Sequence, residues 1–168
     1  MAIRQRVLTL IGAIALVAAA CSSSTAAATP DLEIAPLFTV PTADGEFDMA
    51  THLASNGRPI FLNLWASWCF PCRDEMPGID RSADTYPGVL FIGVAVQDAR
   101  PDSEGFVEEI GVTYLIGYDD NDSVEAAYKP LGLPASYIIS ADGVILERVF
   151  GKVTEAYLAE KFAKYFDL

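Results

Sequence analysis

Basic side chains are scarce in this chain. Eleven lysines and arginines stand against 23 aspartates and glutamates, for a net charge of −12. A surface of that sign repels phosphate backbones and anionic lipid headgroups, so no nucleic-acid partner is expected and charge alone does not hold the protein to a bilayer. Histidine is scarcer still, with His52 alone. Set beside Cys69 and Cys72, it makes three ligands at no recognised spacing, where zinc takes four. The run Asp119-Asp120-Asn121-Asp122 lacks the glycine and the closing glutamate of a calcium loop and reads as solvated loop. No metal is expected. Internal repeats are absent as well.

What is present suits one domain. The chain has 168 residues, 52% apolar and 20% charged, enough to build a core. It holds three cysteines, Cys21, Cys69 and Cys72, and an odd count asks for a separate role for one of them. Arg4 and Arg6 open the chain, and Val7 to Ala20 is apolar apart from Thr9 and Gly12. About fourteen apolar residues is short for a membrane span and right for the core of an export signal. The run ends Val17-Ala18-Ala19-Ala20-Cys21, small residues before a cysteine, which resembles the bacterial lipobox although leucine is commoner where Ala18 stands. Residues 1–20 thus read as a lipoprotein-type signal peptide and Cys21 as the lipid attachment site. Ordinary cleavage after the alanines, with release of a secreted protein, is the alternative. Without the leader's two arginines, 9 basic side chains face 23 acidic ones, a charge of −14. Residues 21–33, Ser/Thr/Ala-rich with Pro30, read as a flexible tether that spans roughly 20 Å as a coil and about 45 Å stretched.

From residue 34 to 168 apolar residues recur at alternating periods. Leu37–Val40 and Phe47–Met49 flank Asp44-Gly45 and predict a ribbon, with a short helix over 49–54. Pro59–Trp65 predicts a buried strand. Met76, Ile79, Ala83 and Tyr86 predict a helix after it, kinked at Pro77. Val89–Val96, eight residues without charge, predicts a central parallel strand and completes a βαβ unit. A helix over 103–110 ending at Gly111 and a short strand within 112–118 follow. Asp122 and Glu125 have capping-box spacing, with Val124, Ala127, Tyr128 and Leu131 on one helical face. Ser136–Ile139 and Val144–Phe150 flank Asp142-Gly143 as a hairpin, and a last helix starts near Thr154 with Leu158, Phe162, Tyr165 and Phe166 on one side. The class is α/β: a parallel pair and an antiparallel hairpin in a central mixed sheet flanked by helices, with an N-terminal β-ribbon extension.

The chemistry lies in Cys69-Phe70-Pro71-Cys72. Two cysteines three apart at a helix start can close a disulfide within one turn. The first sits at the positive end of the helix dipole, beside unpaired N–H groups, and both effects favour the nucleophilic thiolate. Pro71 in the first turn costs no internal hydrogen bond. A structural disulfide is the other reading. Covalent haem needs histidine after the second cysteine, where Arg73 stands, so no cofactor is expected.

Trp68-Cys69-Phe70-Pro71-Cys72 resembles the thioredoxin active site. Phe61-Leu62-Asn63-Leu64-Trp65-Ala66-Ser67-Trp68-Cys69, with Gly132-Leu133-Pro134-Ala135-Ser136-Tyr137-Ile138-Ile139 and then Asp142-Gly143, resembles the TlpA/ResA-like extracytoplasmic thiol-disulfide oxidoreductases over about residues 34–166. The resemblance implies a thioredoxin fold. It makes Cys69 the attacking thiolate, exposed at the helix start, and Cys72 the resolving thiol one turn inward. It makes Pro134 a cis-proline facing the dithiol and the backbone of Leu133 a pairing edge for a bound partner. Asn63 stands where cytoplasmic thioredoxins carry a buried aspartate. Glu75, three residues after Cys72, stands where these relatives place a glutamate that exchanges the proton of the second cysteine; an acid suited to the helix dipole is the plainer reading. Trp68, Phe70 and Pro71 would meet the substrate. Trp65 would shield the dithiol or simply fill the core.

A peroxidase on this fold needs threonine at Ala66. A copper chaperone needs wider cysteine spacing and a later histidine. A peptide-binding module would have lost the dithiol, which is intact. The expected partners are disulfide-bearing or dithiol proteins and a membrane thiol electron carrier, met by a monomer. Reduction of exported proteins, apocytochrome c by resemblance, stands against oxidative folding of secreted proteins. The lipid assignment has a direct check. In cell fractionation the wild-type protein should sediment with membranes and Cys21→Ser should move to the aqueous fraction; wild-type protein already in the aqueous fraction would show that no lipid is attached.

Overall fold

The computed structural model describes residues 32–55 and 57–168. The leader, Cys21 and the tether as far as residue 31 lie outside the described residues. The domain begins slightly before Ile34. The Glu33 carbonyl accepts from the Ile145 N–H at 2.8 Å, and the Glu33 carboxylate pairs with the Arg148 guanidinium.

Strands β1 (Thr39–Thr42) and β2 (Gly45–Asp48) form the ribbon. Asp48 then caps α1 (Met49–Ala54), its carboxylate accepting from the Thr51 N–H at 2.6 Å. The core strand β3 (Ile60–Trp65) is buried at every position, as a central strand must be when both sheet faces are covered. Then follow α2 (Phe70–Thr85), β4 (Leu90–Ala95), α3 (Arg100–Ile110), β5 (Leu115–Tyr118), α4 (Ser123–Tyr128), β6 (Ala135–Ile139), β7 (Ile145–Phe150) and α5 (Glu155–Phe166).

The seven strands make one mixed sheet in the order β2-β1-β5-β4-β3-β6-β7. β3 and β4 are parallel in the register Asn63↔Gly93, and β6 lies antiparallel on the other side of β3 with Asn63↔Ser136. β5 joins β4 in parallel, so the expected parallel pair is a trio. Side chains on one face, among them Phe61, Met76, Ile79, Phe106, Leu158 and Phe162, form one core under α2, α3 and α5. The other face, with Val40, Met49, Leu62, Leu64, Val124 and Tyr137, forms a second core under α1 and α4. This is the thioredoxin fold extended by a ribbon.

α2 carries Pro77 in its interior, as expected from the sequence. Three details depart from the sequence reading. α3 starts three residues early, because Pro101 falls in its first turn where a missing N–H is harmless. No capping box forms at α4. Asp122 adopts φ 58°, and Asp119 instead accepts from the backbone N–H of Val124 at 3.1 Å and of Glu125 at 2.8 Å. Leu131 is 85% exposed, since the chain leaves the helix at Lys129 in a left-handed conformation. Gly111 does end α3, at φ 70°. No helix among the described residues is long and apolar enough to cross a membrane.

The ribbon is locked to the sheet by the pairing Thr42↔Gly117 and by Val40, which is buried over it. A Cβ on Gly117 would fall 2.5 Å from Val40 Cγ2. Gly117→Ala should therefore lower stability in denaturant melts by roughly 1–3 kcal/mol, and adding Val40→Ala should recover part of the loss. Equal melts for wild type and Gly117→Ala would show that the ribbon yields freely.

Candidate active site

β3 delivers Trp65 into the core, where its indole stacks on Phe106 at 5.2 Å; it is filling, not a docking surface. The chain then turns through Ala66-Ser67-Trp68, and the loop after β4 holds that turn. Ser67 donates to Asp98 through its N–H at 2.6 Å and its hydroxyl at 2.9 Å, and the Ser103 hydroxyl donates to the same carboxylate at 2.7 Å. The Trp68 indole N–H donates to the Gln97 carbonyl at 3.0 Å, with Gln97 at φ 54°. Asp98 was not singled out in the sequence. Its signal is positional: it follows the carboxyl end of a parallel strand adjacent to the one bearing the dithiol, where sites in α/β sheets gather.

Cys69 is the N-cap of α2, and its Sγ accepts from the Cys72 N–H at 3.3 Å. The two cysteines are joined in a disulfide. Cys69 is 3% exposed and Cys72 fully buried, so the exposed Cys69 of the sequence reading is not found in this oxidised form. The Cys69 sulfur is bonded to that of the buried Cys72 and lies against the Cys72 N–H, which leaves it little contact with solvent. The exposed groups beside it are Trp68, Phe70 and Pro71. β6 begins beside the end of β3, which puts Leu133 and Pro134 at the same sheet end; their peptide bond is cis. Leu133 is half-buried against the core cluster that contains both cysteines, and Pro134 is buried.

Glu75 lies on the buried side of α2, one turn after Cys72, and is 3% exposed. Its Oε1 accepts from the Asn63 side-chain amide at 2.8 Å, and its Oε2 accepts from the Val153 N–H at 2.8 Å. The same Asn63 amide donates to the Ser136 hydroxyl at 3.1 Å. Burial pushes the Glu75 carboxyl up to about 7, against the opposing pull of Val153, Asn63 and the Lys152 charge. Asn63, whose sequence position showed only that it cannot titrate, is thus the group that ties the acid to the sheet. The Trp65 indole N–H and the Tyr114 hydroxyl have no partner among the described residues and are buried, and both lie close to Gly93. A Cβ there would sit 3.0 Å from the indole nitrogen. This arrangement places a disulfide, a helix N-terminus and a titratable acid within two turns of one helix.

The chain matches the family described as AhpC/TSA over residues 32–148. It is 32% identical over 134 residues to the thiol-disulfide oxidoreductase ResA of Oceanobacillus iheyensis, covering 75% of this chain and 70% of that relative. Among solved structures, a secreted Mycobacterium tuberculosis disulfide oxidoreductase described as homologous to E. coli DsbE superposes with a TM-score of 0.66 at 27% identity, over 76% of this chain and 95% of that one. StoA of Bacillus subtilis shares the fold, with a TM-score of 0.64 at 24% identity over 76% and 96% of the two chains.

The raised Glu75 carboxyl has a consequence for stability. The folded acid takes up its proton near pH 7, whereas the ordinary value is 4.5. Its contribution is therefore fully present below about 4.5 and is lost as pH rises towards 7. The loss is on the order of 3 kcal/mol. Denaturant melts of the oxidised protein from pH 4.5 to 7.5 should show this decline, and Glu75→Gln should flatten it. An identical slope in both proteins would mean that Glu75 ionises at its ordinary value.

Proposed function

The chain belongs to the AhpC/TSA family and is a ResA-like thiol-disulfide oxidoreductase, and from that premise we propose that it is a reductase of disulfides in exported proteins, acting outside the cytoplasm. The observation that carries this reading is the buried Glu75, hydrogen-bonded to Asn63 and Val153 one helical turn beyond Cys72.

In the proposed cycle the Cys69 thiolate attacks a substrate disulfide. A mixed disulfide forms, the substrate S–S bond breaks, and one substrate sulfur leaves as a thiolate. Cys72 then passes its proton to the Glu75 carboxylate, and its sulfur attacks Cys69. The Cys69–Cys72 bond forms, the mixed disulfide breaks, and the second substrate sulfur departs. Two electrons have moved to the substrate, and an external membrane thiol carrier restores the dithiol. Trp68, Phe70 and Pro71 offer the apolar docking face, and the backbone beside Pro134, at Leu133, pairs with the substrate chain. Apocytochrome c before haem attachment is the leading substrate. A lipid on Cys21 and the 21–33 tether keep a monomeric domain near its electron supply, which a reductant in an oxidising compartment requires. The secreted relative supports the location.

Oxidative folding is the second reading. It is favoured by the N-cap position of Cys69, whose sulfur accepts the Cys72 N–H, because stabilising the thiolate stabilises the dithiol form and raises the potential. Two measurements decide. Cys72→Ala should accumulate mixed disulfides with partners in cells and Cys69→Ala should not. Equilibration with glutathione buffers should place the potential nearer about −270 mV than about −120 mV. A value at the oxidising end, with protein recovered oxidised from cells, would replace the reductase reading with the oxidase one.

A further inference from the structure

Glu75 has two sides. Oε1 points to Asn63 in the sheet, while Oε2 meets the Val153 N–H, and Val153 lines a surface cleft of about 170 Å³ between α2 and the turn that joins β7 to α5. That volume holds several waters. Glu75 itself lines the cleft, so its small residual exposure opens there, on the flank of α2. Gly78, one helical turn beyond Asp74 on α2, contributes no side chain and leaves that wall open. Two ion pairs stand at the rim. Lys152 Nζ lies 3.1 Å from Asp74 Oδ2, and Arg81 lies 2.5 Å from Glu155 Oε1. Both join α2 to the segment that supplies the Val153 N–H.

We propose that this cleft is the route by which solvent reaches Glu75, and that Lys152, held at the rim by Asp74, is a positioning residue whose charge biases Glu75 towards the carboxylate across that cleft. The proposal rests on Glu75 being the proton-exchanging group of the reading above. The charged and titratable groups around Glu75 divide by element. α2 brings Asp74 and Arg81, the turn brings Lys152, α5 brings Glu155, and the residue just before β5 brings the Tyr114 hydroxyl. Asn63 and Ser136 from the sheet are neutral. Arg81 and Glu155 compensate each other in a bond of their own. Lys152 is also paired, but it is half exposed and its charge is felt at the buried acid, where it favours the carboxylate. A cation that acts across a water-filled cleft acts more weakly as salt is added. One that acted through packed protein would be screened much less.

The full protein, oxidised and labelled at glutamate carboxyl carbons, gives the test. The Glu75 signal is assigned by its loss in Glu75→Gln and followed by NMR against pH. At low salt Lys152→Met should raise the Glu75 midpoint by roughly half a pH unit. Lys152→Arg should restore it. Raising salt should lift the wild-type midpoint and should not lift that of Lys152→Met. In the reduced protein, the pH profile of thiol alkylation should shift in the same directions. An unmoved midpoint in Lys152→Met overturns the role of Lys152. A wild-type midpoint indifferent to salt overturns the cleft as the solvent route. If the carboxyl midpoint moves and the alkylation profile does not, the inference about Lys152 stands and the Glu75–Cys72 proton exchange fails instead.

Discussion

A carboxylic acid buried one helical turn beyond a disulfide has few ways to keep both of its oxygens hydrogen-bonded, and each way commits a different part of the chain. Glu75 takes one bond from the side chain of β3 and one from the backbone ahead of α5, while its own backbone belongs to the helix that carries the cysteines. The Asn63 amide that serves it also reaches Ser136 on β6. Two neighbouring strands, the dithiol helix and the final helix are thereby fixed against one polar group. Leaving any of these partners unpaired in the core would cost about 1–3 kcal/mol, so the geometry around the acid and the geometry of the sheet hold each other in place.

The dithiol is secured from the opposite direction. Asp98 receives four donors, from Ser67, Ser103 and Ala99, and so staples the turn before Cys69 to the loop after β4. Gln97 sits in an uncommon backbone conformation and offers its carbonyl to Trp68. The result is an immobilised turn that presents Trp68 and Phe70 outward, 61% and 73% exposed, on a chain whose surface is otherwise rich in acids. The sulfurs buried in the disulfide are thus bordered by exposed apolar side chains.

Much of this was legible in the sequence because it depends on short-range pattern. The uninterrupted apolar runs of β3 and β4, the Asp142-Gly143 turn and the Cys69–Cys72 spacing each encode their geometry within a few residues. What escaped was set by contacts between segments far apart in the chain. Asp119 displaced Asp122 as the cap of α4 because its carboxylate reaches the free N–H groups from outside the helix, and no local spacing announces that. Val153 contributes through its backbone, to which its side-chain identity is blind. Asp98 looked like any loop acid until the two strands that frame it were placed side by side. Glu75 and Pro134 were located by resemblance, and only the fold supplied the first with its partners.

The ends of the sheet carry a last consequence. A strand at a free edge invites pairing with another chain. Here one outermost strand, β2, is only four residues long and carries Glu46 and Asp48. At the other margin Ile34 bridges Val144, and Arg148 of β7 is engaged by Glu33, so part of that margin is already covered by the chain that leads into the domain. Shortness and charge on one side and a covering segment on the other protect both margins of the sheet against cross-chain β-assembly.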